Sequence, residues 1–138
     1  MKSKAEKITD RMMAKDRFSE WLGIEVMDIK EGYCKLKMII REEMCNGFEI
    51  AHGGISFSLA DSALAFASNS HGRHALSIET AISHIKPLKT GDTIIATATE
   101  KNKSNKIGIY EVRVENEKKE LAALFKGTVF RKDSEWDV

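Results

Sequence analysis

The sequence predicts an α+β fold in which an antiparallel sheet packs on one long, apolar helix. Three observations carry this. Residues 55–68 are rich in Ala, Leu, Phe and Ser, contain no Gly or Pro, and show no clear polar face, as expected of a helix buried on most sides. Two short alternating segments precede that run and a series of longer ones follows it. The turns between the last three are too short for parallel pairing, so those strands must be antiparallel.

The elements can be justified in order. Residues 5–22 read as helix, with Ile8, Met12, Phe18 and Leu22 at rough helical spacing among charges, and Asp16 is placed to cap a second short turn. Ile24 to Ile29 is a first strand, and Glu31-Gly32 supplies a turn. Tyr33 to Ile40 is a second strand, with Cys34, Leu36, Met38 and Ile40 on one face and Lys35 and Lys37 on the other. Arg41 to His52 is a loop, and Gly53-Gly54 opens the apolar helix. Ala75 to Leu88 is strand-like, with Pro87, the single proline, marking its end. Thr93 to Glu100, Ile107 to Val114 and Leu121 to Arg131 complete a meander, and residues 133–138 are expected to form a frayed tail.

The bulk properties narrow the function classes. A chain of 138 residues, 42% hydrophobic and 31% charged, suits one globular domain spanning 1–138. A formal net charge of +1, from 22 basic and 21 acidic residues, gives no electrostatic footprint for nucleic acid. Cys34 and Cys45 make no disulfide framework and no CxxC pair, so free thiols and no metal are expected. The N-terminal stretch to Asp16 is charged and unlike a signal peptide. No apolar run is long enough to span a bilayer. A cytoplasmic protein without membrane partners is therefore expected.

The chemistry concentrates between Asn46 and Asp61. Asp61 lies well inside the apolar helix, flanked by Leu59, Ala60, Ala63 and Leu64. A lone acid on a helix is ordinarily solvated or structurally paired, but these neighbours leave little solvent face, which favours a functional role. Gly53 and Gly54 sit at the helix start, where free N–H groups and the helix dipole favour negative charge. Such a terminus could stabilise an oxyanion, or the glycines could simply allow a tight turn. His52 and Asn46 lie in the preceding loop. Either could orient water or an acyl oxygen, and His52 could equally pin the loop. Gly53 and Asp61 are eight residues apart, about 12 Å along a helix. If both act on one carbonyl, they must come from two copies around a two-fold axis.

The pattern resembles the hotdog-fold thioesterase superfamily, in particular its phenylacetate-degradation branch of acyl-CoA thioesterases. The matching residues are Asn46-Gly47, His52-Gly53-Gly54, Ser58-Leu59-Ala60-Asp61, then Ile82-Ser83-His84-Ile85-Lys86-Pro87 and Gly91-Asp92. The likeness runs from about Phe18 to Arg131. It implies an antiparallel sheet wrapped around a long central helix, and hydrolysis of an acyl- or aryl-CoA thioester without a cofactor. It implies Asp61 as nucleophile or general base, the Gly53 N–H as oxyanion donor, and Asn46 near the reacting acyl group or water. It further implies a water-positioning hydroxyl on the strand after the helix, for which Ser77 is the candidate with Thr80 behind it. Homodimers across the long helices, paired into tetramers, are also implied.

Phe57, Leu64 and Phe66 could line an acyl pocket or be plain core. Gly54 and Phe57 are counted as candidate substrate contacts. Lys86, Lys89 and Arg131 could meet CoA phosphates, although an uninvolved surface charge is the commoner role for each. Glu49 is read as a solvated loop residue. A non-catalytic acyl-CoA-sensing hotdog domain is the alternative. Asp61 counts against it, since a pure binder needs no carboxylate at the reacting carbon. A hydratase would need a placed His/Asp pair, and the spacing here is that of thioesterases instead.

Overall fold

A computed structural model describes all 138 residues. Helix α1 (Lys4–Lys15) starts at a capping box, in which Ser3 Oγ accepts from the Glu6 N–H and Glu6 accepts from the Ser3 N–H. Asp16 then caps α2 (Arg17–Leu22), accepting from the Ser19 N–H at 2.9 Å. Helical residues 5–22 thus form two helices, broken at the Asp16 cap that the sequence offers, where the aspartate side chain takes a backbone donor. Gly23 ends α2 in the left-handed conformation, φ 78°, which glycine adopts without a Cβ penalty. Strands β1 (Glu25–Lys30) and β2 (Tyr33–Ile39) form the expected hairpin.

After a loop containing one 3₁₀ turn (Glu42–Met44), α3 runs from Gly53 to Asn69. Strands β3 (Arg73–His84), β4 (Thr93–Lys103), β5 (Ile107–Glu115) and β6 (Leu121–Glu135) follow. The six strands form one antiparallel sheet in the order β1-β2-β4-β5-β6-β3. The sheet wraps α3, as the hotdog resemblance implies.

Two expectations need correction. β3 is not the first strand of a meander: it pairs only with β6, and residues 85–92 carry the chain across to β4, beside β2. The alternation within β3 cannot reveal this, because pairing order is set by which strands bury the same helix. Nor does the chain fray at Asp133. β6 continues to Glu135, where it pairs with Arg73, and the Trp136 N–H bonds to Gly72 O at 2.8 Å.

The core is a cluster of 26 buried residues with α3 at its centre. The inward faces carry Cys34, Leu36 and Met38 on β2, Ile94, Ala96 and Ala98 on β4, Tyr110, Val112 and Val114 on β5, and Phe125 and Val129 on β6. The period-two alternation read from sequence therefore places the right face inward. Burial drives Tyr110 to find a partner for its hydroxyl, which donates to Glu100 at 2.7 Å; Glu100 also meets His71 Nε2 at 2.7 Å. No helix is long and apolar enough to cross a membrane.

One stripe of α3 escapes full burial. Phe57, Ser58, Asp61 and Ala65 are half-buried and Gly54 is exposed, at the i, i+3, i+4 spacing of a single helical face. Phe57 leans on Phe125 with ring centroids 5.4 Å apart, so the stripe is seated on the fully buried Phe125. Phe125→Ala should cost about 3–5 kcal/mol of unfolding free energy, read as a lower urea midpoint at unchanged slope.

Candidate active site

The loop from Arg41 to His52 sets up the start of α3. It is pinned by the His52 N–H to Met44 O at 2.8 Å, the Asn46 N–H to Ile50 O at 2.8 Å and the Ala51 N–H to Leu88 O at 2.7 Å. Glu49 sits at its tip with φ 63°. His52 is the N-cap, and its Nδ1 accepts from the Gly54 N–H at 3.0 Å. Accepting there places the proton of the neutral ring on Nε2. The Ile55 N–H bonds to His52 O at 2.9 Å. The amide of Gly53, the first residue of α3, has no acceptor in the protein.

Gly53 lines a cavity of about 370 Å³ together with Asn46, Ser56, His84 and Lys86. Asn46 Oδ1 accepts from the Phe48 N–H at 2.9 Å, which leaves its side-chain nitrogen without a protein partner. Lys86 is tied to Glu120 at 2.9 Å. His84, whose role the sequence did not disclose, packs its ring against Gly53: a Cβ there would stand 3.0 Å from His84 Nε2. Its Nδ1 lies 3.4 Å from Ser56 Oγ. The available signal was a histidine two residues before the Lys-Pro pair that ends the strand.

Asp61 faces a different cavity, of about 410 Å³, shared with Ser77. The carboxylate is half-buried, with neither an ion pair nor a hydrogen bond to any protein group. Desolvation raises its pKa above the ordinary carboxylate value, and the like charge of Asp16 adds to the rise. Asp16 is held close by its capping role and by a chain of hydroxyls, Asp16 Oδ2 to Ser19 Oγ at 2.6 Å and Ser19 Oγ to Ser62 Oγ at 2.8 Å.

The sequence-derived candidates thus fall into two groups. Asn46, Gly53 and Lys86 meet in one cavity, and Asp61 and Ser77 in the other. The two cavities share no residue. Gly54's amide is consumed by the His52 cap. Thr80 is half-buried opposite Gly127 and lines neither cavity. Phe57 packs on Phe125, and Phe66 is fully buried core. Leu64 does line the Asp61 cavity. Lys89 lines an outer recess beside Asn46, Glu42 and Glu49. Arg131 is not a surface cation: it is 8% exposed and donates to the Ser104 and Asn105 carbonyls. No three His, Cys, Asp or Glu side chains converge where they could hold a metal.

Comparison with known proteins places this geometry in a family. The sequence model of the thioesterase superfamily matches residues 48–123. The acyl-coenzyme A thioesterase PaaI of Escherichia coli K12 is 34% identical over 131 residues, covering 95% of this chain and 94% of that one. Its structure superposes with a TM-score of 0.94 at 33% identity, covering 96% of each chain. A relative from Archaeoglobus fulgidus, described only as an esterase, is 44% identical over 91% of this chain and 82% of its own. The phenylacetic acid degradation protein PaaI of Thermus thermophilus, seen as a point mutant, is 38% identical with a TM-score of 0.82, covering 85% of this chain and all of its own. The chain belongs to the thioesterase superfamily and is a thioester hydrolase on the hotdog fold.

Proposed function

We propose that residues 1–138 form one catalytic domain that hydrolyses an acyl- or aryl-CoA thioester to free acid and CoA. Its site is shared between two subunits of a homodimer. The observation that carries this reading is a pair of groups on one helix with no partner in the protein: a half-buried carboxylate without a hydrogen bond or ion pair and an N-terminal amide without an acceptor. Leaving a half-buried carboxylate unpaired is costly, and the cost is understandable if a substrate or water completes it. The choice of acyl-CoA follows from the similarity to the Escherichia coli thioesterase.

In this mechanism the Gly53 N–H of one subunit binds the thioester oxygen and takes up the charge that develops there. Asp61 of the other subunit either attacks the carbonyl carbon or removes a proton from the water that does, with Ser77 holding that water. A carbon–oxygen bond forms, the carbon–sulfur bond breaks, and the CoA sulfur departs with the electron pair and is protonated; where Asp61 is the attacking group, water then hydrolyses the acyl–Asp61 anhydride, which frees the acid and restores the carboxylate. Asn46 contacts the acyl oxygen or water from the Gly53 side. His52 acts by capping, leaving Gly53 as the free amide. For the CoA phosphates Lys89 is better placed than Lys86, because Lys86 is already paired with Glu120.

Two features support the dimer. Gly53 and Asp61 lie eight residues apart on a straight helix, too far for one carbonyl. In addition, β3 is a 12-residue strand at the sheet edge with Leu76 61% and Ile78 60% exposed. A long edge strand that exposes apolar side chains is a template for pairing, even with the register shifts at Arg73/Ala75 and Ser77/Glu79, and a second copy would satisfy it while bringing the open stripe of α3 toward its twin. We extend this to dimers paired into tetramers by the family resemblance.

The reading has three expected outcomes. Asp61→Asn should lower kcat for thiol release by about 10³-fold while acyl-CoA binding persists; an unchanged kcat would exclude Asp61 as the catalytic carboxylate, and a wild type that binds acyl-CoA without releasing thiol would be a sensor rather than an enzyme. The acid limb of the pH–rate profile should lie above the ordinary carboxylate range of about 4, and Asp16→Asn, which keeps the helix cap, should move it down. A raised carboxyl pKa means that the folded state holds the proton more tightly than the unfolded state. Its stabilising contribution is therefore present at low pH and lost as pH rises through the folded pKa. Asp61→Asn should accordingly raise the melting temperature at neutral pH.

The third outcome isolates the oxyanion donor. Gly53 is the first helical residue after the N-cap, a position where proline is well tolerated. The preceding His52, at ψ 138°, suits a following proline. Gly53→Pro should remove the amide without unwinding α3 and lower kcat by about 10²–10³-fold. Gly53→Ala adds the same Cβ beside His84 but keeps the N–H, so its loss should be much smaller. Equal losses in the two variants would exclude the amide as oxyanion donor.

A further inference from the structure

The cavity that Asp61 lines is bounded at its Asn69 end by Trp136. We propose that Trp136 forms the end wall of the acyl-binding space and limits the length of acyl group the enzyme accepts. The inference rests on Asp61 being the catalytic carboxylate.

If the carbonyl carbon sits at Asp61, the acyl tail must leave on the side away from CoA. The apolar space contiguous with Asp61 in its own subunit is the 410 Å³ cavity, a size typical of cavities that enclose small ligands, roughly 300–1,000 Å³. From Asp61 its wall follows α3 through Leu64, Ala65 and Ser68 to Asn69. Asn69 lies eight residues beyond Asp61, about 12 Å along the helix. Met12 and Leu76 add apolar walls. An acyl group of short or medium length fits that span, and a fully extended long-chain acyl group does not.

Trp136 stands at the Asn69 end and is anchored there. Its indole Nε1–H donates to Asn69 Oδ1 at 2.9 Å, its backbone N–H to Gly72 O at 2.8 Å, and its ring lies 4.6 Å from that of His74. The anchor is itself rigid. Asn69 is 2% exposed, its side-chain nitrogen donates to Ala65 O at 2.8 Å and Ala75 O at 3.1 Å, and its Oδ1 also accepts from the Ala75 N–H at 3.0 Å. The indole is thus held by the end of the catalytic helix and by the first turn into β3. Such a wall sets a length limit by overlap, because pushing it aside breaks hydrogen bonds to a buried side chain.

The test compares wild type, Trp136→Ala and Trp136→Phe in thiol-release kinetics on acetyl-, hexanoyl-, decanoyl- and palmitoyl-CoA. Circular dichroism and melting curves confirm folding. The wild type should fall off sharply between decanoyl and palmitoyl. Trp136→Ala should raise the palmitoyl-to-hexanoyl ratio of kcat/KM by about tenfold, the scale on which pocket shape discriminates by a few methylenes. Trp136→Phe, which loses the bond to Asn69 but keeps most of the wall, should stay near the wild-type ratio. Folded Trp136→Ala with a wild-type ratio overturns this inference alone. A wild type as inactive as Asp61→Asn on every substrate overturns the proposed function and this inference with it.

Discussion

The two groups proposed to act on the thioester, the Gly53 amide and the Asp61 carboxylate, ride on one helix, and the helix holds them about 12 Å apart. That separation is the constraint from which the rest follows. α3 is gripped by the sheet through Leu59, Ala60, Ala63 and Ala67, all fully buried, so it cannot bend to bring Gly53 and Asp61 together. The subunit therefore presents Asp61 and Gly53 in two separate cavities, which are two half-sites under the proposed function. A second subunit is the economical way to unite them. The exposed β3 edge and the open stripe of α3 lie where such a subunit would be received.

Asp61 illustrates the tension between stability and function in the fold. A neutral side chain at that position would be easier to keep half-buried. Instead the chain places Asp16, another carboxylate, near enough to raise the Asp61 pKa further, and fixes it there through the α2 cap and the Ser19–Ser62 hydroxyls. An acid held in poor solvation and beside a like charge is a stronger base and nucleophile than a solvated one, which is what attack on a thioester requires. The N-terminal helices are in this sense part of the site, although they contribute no reacting atom.

Much of this was legible in the sequence, for physical reasons that differ by element. The alternation in β2, β4 and β5 marks the buried face because strand periodicity is strict, and the apolar run after Gly53 marks the central helix because no other element tolerates so few polar residues. Asp61 stood out as an acid in that run, and the Gly53–Asp61 spacing already implied two copies if both residues act on one carbonyl. Strand order was not legible: β3 alternates no differently as an edge strand beside β6 than it would beside β4. The docking of Trp136 was hidden as well, since Asp133, Ser134 and Glu135 read as a polar tail and their pairing depends on Arg73, far away in sequence. Arg131 looked like a surface cation because burial of its guanidinium depends on two carbonyls of the β4–β5 turn. His84 was visible within a motif, but its contact with Gly53 is purely tertiary.

The shared site is the central claim, and mixing two inactive variants tests it most directly. Asp61→Asn and Gly53→Pro subunits would be purified separately, unfolded and refolded together in equal amounts, then assayed for thiol release. If each site joins Gly53 of one subunit to Asp61 of the other, every mixed dimer carries one intact site and one doubly defective site. Half of the randomly formed dimers are mixed, so activity should return to about a quarter of the wild-type value. If each subunit holds a complete site of its own, no intact site can form, and the mixture will stay as inactive as its components.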